Sequence, residues 1–471
     1  MARSEAAPRF GGRGRSWLEN MGLIADRGRE ILNLTRAGRR ERSAEVLCRR
    51  LLGQRGEASG LALATELVSQ IRELDETETA RFLHMLASSF ELDTGRLEEA
   101  IERWRSRRNL DSLLDLTAAT EPPREELFRR LNMVPGGTEA LVELRARLQR
   151  LLPNSPELRA VDVDLRHLLS SWFNRGFLRL EEISWHTPAA ILERLIVYES
   201  VHQIQGWDDL RRRLAADRRC FAFFHPALPD EPLIFVEVAL TQGLAETITP
   251  LIDPRRAVAE PARADTAIFY SINNCQPGLK GISFGNFLIK QVLSELSAGL
   301  PRLRTFATLS PVPGLREALE RRAAPDGFTE ARLTALVGDS AEEVRRQTGA
   351  EDLVAALERL LATAPPYPPA LRPVLRRLAL AYLLHVRRGR RVADPVAHFH
   401  LSNGARLERV NVDADPSEGG RSSCGVMVNY LYEPDELELN HERYVETGEV
   451  ALARGLTGEA RRVHGAWQQA R

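Results

Sequence analysis

Three stretches of this chain carry residues whose types and spacing could do chemistry. The first, "SINNCQPGLKGISFGNFLIKQV" (271–292), sets Gly278, Gly281 and Gly285 between an apolar run, "TAIFYSI" (266–272), and a helical pattern, "NFLIKQVLSELSAG" (286–299). A strand, a glycine-bearing turn and a helix bring unpaired backbone N–H groups and the positive end of a helix dipole to one point, which suits a phosphate. Neither GxxxxGK[ST] nor GxGxxG with a following acid fits, and the plain alternative is a connection with a glycine at each bend. The second stretch is "DPVAHFHLSNGA" (394–405). Asp394 suits a helix N-cap, Pro395 the first helical position and Gly404 the left-handed residue beyond the end, so 395–403 reads as a short helix. It presents His398 and His400 on different faces. A histidine with a pKa of about 6.5 can deliver a proton at neutral pH, though on an amphipathic helix it serves structure as readily. In the third stretch, "ATLSPVPGL" (307–315), Ser310 ends a strand before Pro311 and Pro313, where the ladder stops and the residue is expected to be exposed at the sheet end. The alternative there is a simple turn former.

The elements that must position these residues follow from periodicity. From about 17 to 172 apolar positions recur at helical spacing, as in "LALATELVSQIREL" and "EALVELRARLQRLL", with breaks such as "EPPRE" and "VPGGT". This reads as a helical bundle whose work is assembly or scaffolding. Near Gly176 the texture changes to short β-branched or aromatic runs: "FLRLEEI" (177–183), "CFAFFHP" (220–226), "PLIFVEVAL" (232–240), "TAIFYSI" and "LRTFATLS" (303–310). The second and third predict an antiparallel hairpin, the fourth and fifth a crossover pair around a helix. A mostly helical insert spans about 315–390, then "RLERVNV" and "CGVMVNYLY" (424–432) predict a last strand pair.

The chain has 471 residues, more than one core usually organises, so two domains are expected. Lys plus Arg number 65 and Asp plus Glu 65, a balance that gives no argument for nucleic acid, a membrane surface or a polyanionic partner. Cys48, Cys220, Cys275 and Cys424 are far apart with no CxxC spacing, which argues against a disulfide framework and a thiolate zinc site and for a reducing compartment. The Arg-rich start lacks a signal-peptide apolar run and reads as a disordered start, with a transit peptide as the alternative; no stretch nears the roughly 20 apolar residues of a membrane span, and "QQAR" is no peroxisomal address. A cytoplasmic location is the expectation.

The glycine stretch resembles the looser [QR]xxGx[GA] pattern with which GNAT acyltransferases hold the pyrophosphate of coenzyme A. "KGISFG" supplies Lys280 and Gly285 at the first and last positions, with Ser283 replacing the usual glycine. "FHLSNGA" likewise puts Phe399, His400 and Gly404 at the spacing of the Phe, Tyr and Gly of the GNAT AxxFYxxxGF helix, so His400 stands where a thioester-facing tyrosine would stand. Five motifs in order, "FYSI" (269–272), "GLKGISFGNFLIK" (278–290), "LSPVPG" (309–314), "DPVAHFHLSNGA" and "SCGVMVNYLY" (423–432), then make the chain similar to the malonyl-CoA decarboxylase family.

The resemblance implies an α+β protein: an all-α N-terminal helical bundle, residues 1–172, used in oligomerisation, and a GNAT-like mixed α/β catalytic domain, residues 173–471. It implies malonyl-CoA as substrate, conversion to acetyl-CoA and carbon dioxide, and a homo-oligomer, with a tetramer suggested. Family catalytic roles fall on Ser310 and His400. Substrate contacts fall on Lys280, Gly281, Ile282, Ser283, Phe284, Gly285 and Asn286, with Ser271 and Tyr432 lining the site. Loss of carbon dioxide from a malonyl thioester leaves an electron pair that the thioester carbonyl accepts as an enolate, so no biotin, metal or pyridoxal is needed. Ser310 would orient the scissile bond and His400 protonate the enolate, directly or through Ser310. The reverse assignment stays open. The rivals are a GNAT acyltransferase and a malonyl-CoA-sensing scaffold.

Overall fold

The computed structural model of the chain describes residues 43–282, 287–321 and 327–470. The chain divides into two compact units: Met1–Leu178 with His225–Pro229 and Gln276–Ser283, and Arg179–Phe224 with Asp230–Cys275 and Phe284–Arg471.

In the first unit the helical periodicity is realised as eight described helices between Ala44 and Trp172. Side-chain caps start several of them: Ser43, Asp93 and Asn109 each accept an amide of the first turn, and Asp75 forms a reciprocal box with Glu78. Leu47, Leu67, Leu83, Phe128, Leu141, Leu148 and Leu165 share one buried core. Helices α1 (Thr94–Ser106) and α2 (Leu110–Ala119) contribute Ala100 and Ala119 as their only buried apolar side chains, while Leu110, Leu113 and Leu114 face solvent.

Helix α3 (Gly137–Leu151) carries the device that joins the glycine stretch to this unit. The Arg145 guanidinium is 2% exposed and donates to the carbonyls of Gly278 at 2.6 Å and Lys280 at 3.0 Å, and its Nε to Asp162 at 2.9 Å. Gly278 lies against α3 so closely that a Cβ there would overlap the Val142 carbonyl oxygen, which accounts for glycine at that position.

In the second unit β1 (Arg179–Ile183), β2 (Arg218–Phe224), β3 (Ile234–Thr241), β4 (Thr266–Asn274), β5 (Thr305–Thr308), β6 (Ser310–Pro311), β7 (Arg406–Asn411) and β8 (Met427–Leu431) form an eight-stranded mixed sheet. β1 to β4 are successively antiparallel, β4 and β5 are parallel, and β8 runs antiparallel to β5, β6 and β7. The hairpin, the crossover pair and the closing strand pair read from the sequence are all present, as is the mixed α/β architecture. The crossover runs through α4 (Phe287–Gly299), and a helical segment ending in α5 (Arg372–His385) precedes α6 (Pro395–Ser402).

The parallel pairing ends before β4 does. It stops at Phe269 opposite Thr308, with one further bond from Leu309 N–H to the Phe269 carbonyl at 2.9 Å. β4 continues to Asn274, whereas Pro311 forces the other chain out of the ladder and into the short β6 pairing with β8. The two strands therefore part at Ser310. Among the described residues no helix is long and apolar enough to cross a membrane.

Candidate active site

Ser310 comes from β6, His400 from α6 and Tyr432 from the residue after β8, and the fold brings all three together. His400 Nε2 lies 3.0 Å from Ser310 Oγ and Nδ1 lies 2.7 Å from Tyr432 Oη. Local structure explains the convergence. Asp394 accepts the amides of Val396 and Ala397 and starts α6, as its sequence implied, and Gly404 ends it at φ +84°. A Cβ on Gly404 would overlap the Leu437 carbonyl, so both the left-handed conformation and the close approach require glycine. Tyr430 of β8 and Tyr432 just beyond it fall two apart and share a face. Tyr430 stacks on the imidazole at 4.8 Å between centroids and Tyr432 meets its nitrogen.

Ser310 is only 6% exposed, and the expectation that it stands open at the sheet end is corrected. The ladder does stop at Pro311, but β8 pairs across it and the His400 ring faces the hydroxyl. His398, the alternative histidine, is bound elsewhere: its Nδ1 lies 2.9 Å from the Tyr444 hydroxyl.

The imidazole of His400 is 2% exposed, and burial alone pushes its pKa down to about 3. The ordinary value assumed from sequence is thereby corrected: in the free protein at neutral pH His400 is uncharged, with one nitrogen donating and the other accepting. Both neighbours are hydroxyls that can do either, so a hydrogen-bonded path runs unbroken from phenol through imidazole to serine. Burial also raises the Tyr432 phenol well above its usual range. The linkage has a definite sign. Between about 6.5 and 3 the unfolded chain binds a proton at His400 that the folded chain refuses, so this group withdraws stability as pH falls through that window.

The other sequence-predicted residues lie outside this cluster of bonds. The Ser271 hydroxyl is buried and donates to Glu199 at 2.7 Å, beside Asn273, which donates to the same carboxylate at 2.8 Å. Lys280 and Gly281 are exposed and Ile282 buried in the loop that Arg145 holds. Ser283, Phe284, Gly285 and Asn286 lie outside the described residues. Sequence reading missed Tyr430, although its i, i+2 relation to Tyr432 was visible, and it missed Arg145, Glu199 and Asn273, for which sequence offers no local signal. A separate cleft of about 590 Å³ at the end of β3 contains none of the predicted residues; Asp217 pairs with Arg212 and Arg218, Arg263 with Glu260 and Glu246 with Arg409, and Arg256 donates to the Pro250 carbonyl at 3.0 Å.

Fold and site together define a mixed α/β protein with an appended helical unit and a buried serine–imidazole–phenol chain. The family model described as the malonyl-CoA decarboxylase C-terminal domain matches residues 176–470, and that described as the malonyl-CoA decarboxylase N-terminal domain matches residues 90–173. The chain belongs to the malonyl-CoA decarboxylase family. The mitochondrial malonyl-CoA decarboxylase of Anser anser anser is 34% identical over 411 residues, covering 82% of this chain and 80% of that protein. The Rattus norvegicus counterpart is 34% identical over 391 residues, with 79% of each covered. Among solved structures, malonyl-CoA decarboxylase from Rhodopseudomonas palustris is 47% identical with a TM-score of 0.80, covering 88% of this chain and 98% of that one. The protein from Agrobacterium vitis is 44% identical with a TM-score of 0.74, at 88% and 99% coverage.

If His400 is neutral as its burial dictates, its ring signal in histidine-labelled NMR, assigned with His400→Asn, stays at the neutral position from about pH 8 down to about 5, where an ordinary histidine is mostly charged. A midpoint near 6.5 would show that burial does not hold the ring neutral through that range.

Proposed function

We propose that the chain decarboxylates malonyl-CoA to acetyl-CoA at Ser310, with His400 and Tyr432 relaying the proton. The observation that carries this reading is the continuous path from Tyr432 Oη through the imidazole to Ser310 Oγ. The bond between Cα and the carboxylate breaks, its electron pair enters the thioester carbonyl, and carbon dioxide leaves. Cα of the enolate then takes the Ser310 proton. His400 Nε2–H refills the serine, Tyr432 passes its proton to Nδ1, and solvent reprotonates the phenolate, so each turnover consumes one proton. The order works because a thioester enolate is a far stronger base than a phenolate, even one whose pKa burial has raised. Orientation of the scissile bond by Ser310 and hydrogen bonding to the developing oxyanion supply the remaining barrier reduction. Backbone amides where β4 and β5 part are the donors we assign to the oxyanion.

Coenzyme A phosphates fall to Lys280, Gly281 and Ile282 with Ser283, Phe284, Gly285 and Asn286. The order of strand β4, glycine-bearing loop and helix α4 supports this. A trans peptide points its N–H opposite to its C=O, so anchoring the Lys280 carbonyl on Arg145 turns the Gly281 N–H away from it. The helical unit, the N-terminal domain of the sequence reading, serves assembly into a homo-oligomer, with tetramer as the proposed size. Leu110, Leu113 and Leu114 on α2 stand exposed, beside an α1 whose acidic stretch, Glu98, Glu99 and Glu102, precedes the basic Arg103 and Arg105. A second copy of the same hairpin, antiparallel, meets both charge and apolar requirements. We place the chain in the cytoplasm, as four buried unpaired cysteines suit a reducing compartment.

Purified protein given malonyl-CoA and no added cofactor or amine should release acetyl-CoA stoichiometrically. Ser310→Ala and His400→Asn should each lower kcat roughly a hundredfold or more with KM nearly unchanged. Intact malonyl-CoA that nonetheless binds would turn the reading toward a sensing scaffold. Lys280→Ala should raise KM about fivefold and leave kcat within about twofold, and an unchanged KM would remove the loop from the substrate site. Leu113→Asp with Leu114→Asp should lower the mass seen by light scattering, whereas an unaltered mass would move assembly to another surface.

A further inference from the structure

The segment that carries Ser310 has an unusual supply of amides. Pro311 and Pro313 have none, and the two that remain, on Val312 and Gly314, are both taken by buried side chains. Val312 N–H donates to Ser423 Oγ at 2.9 Å, and Ser423 is fully buried. Gly314 N–H donates to Asp394 Oδ2 at 3.2 Å, and Asp394 is 1% exposed. The same Asp394 carboxylate, through Oδ1, accepts the first-turn amides of α6 at 3.0 Å from Val396 and 2.9 Å from Ala397. One side chain thus grips the serine-bearing turn with one oxygen and the histidine-bearing helix with the other. Tyr382 of α5 closes the far side: a Cβ on Gly314 would overlap its hydroxyl oxygen.

We propose that Asp394 is a positioning residue for decarboxylation, holding the Ser310 turn and the His400 helix at the separation that lets the hydroxyl and the imidazole share a proton. The inference rests on the assignment of Ser310 and His400 as the reacting pair. Its physical basis is the steep dependence of proton transfer on separation, in which a misplacement of about 1 Å costs on the order of a hundredfold. Burial raises the Asp394 carboxyl and the three amide bonds oppose it, leaving it at about 6, so at neutral pH it is chiefly the ionised acceptor that all three amides require. Many N-cap side chains would accept the first-turn amides of α6, but the bond from Gly314 N–H reaches 80 positions back along the chain and has no part in helix initiation.

Two substitutions separate the functions. Asp394→Asn keeps a capping oxygen but turns an NH2 group toward the Gly314 N–H, so donor faces donor. Asp394→Ser keeps a good cap and cannot span to Gly314. Both, measured beside Ser310→Ala and His400→Asn, should lower kcat about tenfold to a hundredfold, hold KM for malonyl-CoA within about threefold and hold Tm within about 5 °C. Unchanged kcat in both, with Ser310→Ala and His400→Asn inactive, would reduce Asp394 to a helix cap and overturn the proposal. Full activity in Ser310→Ala and His400→Asn would instead overturn the reacting pair itself. Failure of both Asp394 variants to fold would assign the residue to stability and equally overturn the positioning role.

Discussion

A desolvated imidazole shared between two hydroxyls is the constraint on which the mixed α/β unit depends. A buried polar group without a partner costs roughly 1 to 3 kcal/mol, so burial of His400 is least costly where both ring nitrogens are met. Meeting them fixes α6 against two different strand segments at once: Nε2 needs Ser310 beyond the end of β5, and Nδ1 needs Tyr432 beyond the end of β8. Those segments are already registered to each other, with Ser310 opposite Val428. The helix is then left with one position and one rotation, and Gly404 must let the chain leave it under the Leu437 carbonyl. Stacking of Tyr430 on the ring removes the remaining freedom of the imidazole plane.

Much of this was legible in the chain. The caps and breakers at Asp394, Pro395 and Gly404 set the bounds of α6 to within a residue, because capping is local chemistry. The order of hairpin, crossover and closing pair was legible because each strand is short, β-branched and bounded by Gly, Pro or Asp. Environment was not legible. Ser310 is covered by a histidine 90 positions away and the Ser271 hydroxyl is occupied by a glutamate 72 positions away, and the burial that keeps His400 neutral is a property of the assembled core. Arg145 is the sharpest case. In sequence it is one arginine in "LRARLQ" on an amphipathic helix, with every appearance of a solvated charge, yet it is among the most deeply buried side chains.

Arg145 also bears on what the helical unit does. Its guanidinium satisfies two carbonyls and one carboxylate, so little of its charge is left uncompensated. The amides of Leu279, Lys280 and Ile282 close turns onto Gln276, Pro277 and Leu279, and Arg145 holds the same loop from outside by two of its carbonyls. The helices therefore shape a loop of the family's glycine motif as well as forming a bundle of their own, which a division of labour into scaffold and catalyst would not have suggested.

The neutrality of His400 has a consequence for catalysis by differential binding. Only interactions stronger in the transition state than in the ground state accelerate the chemical step. A fixed cation beside the malonyl carboxylate would hold the ground state most firmly and lose its partner as carbon dioxide forms, raising the barrier it was meant to lower. Burial sets the His400 pKa, so on the proposed assignment the imidazole faces the malonyl carboxylate without an ion pair to break. In the proposed reaction, as charge moves from the carboxylate to the thioester oxygen and Cα, the hydroxyl and the imidazole behind it face a growing base rather than a departing acid. A charged histidine would bind substrate more tightly and turn it over more slowly, and the uncharged one reverses that balance.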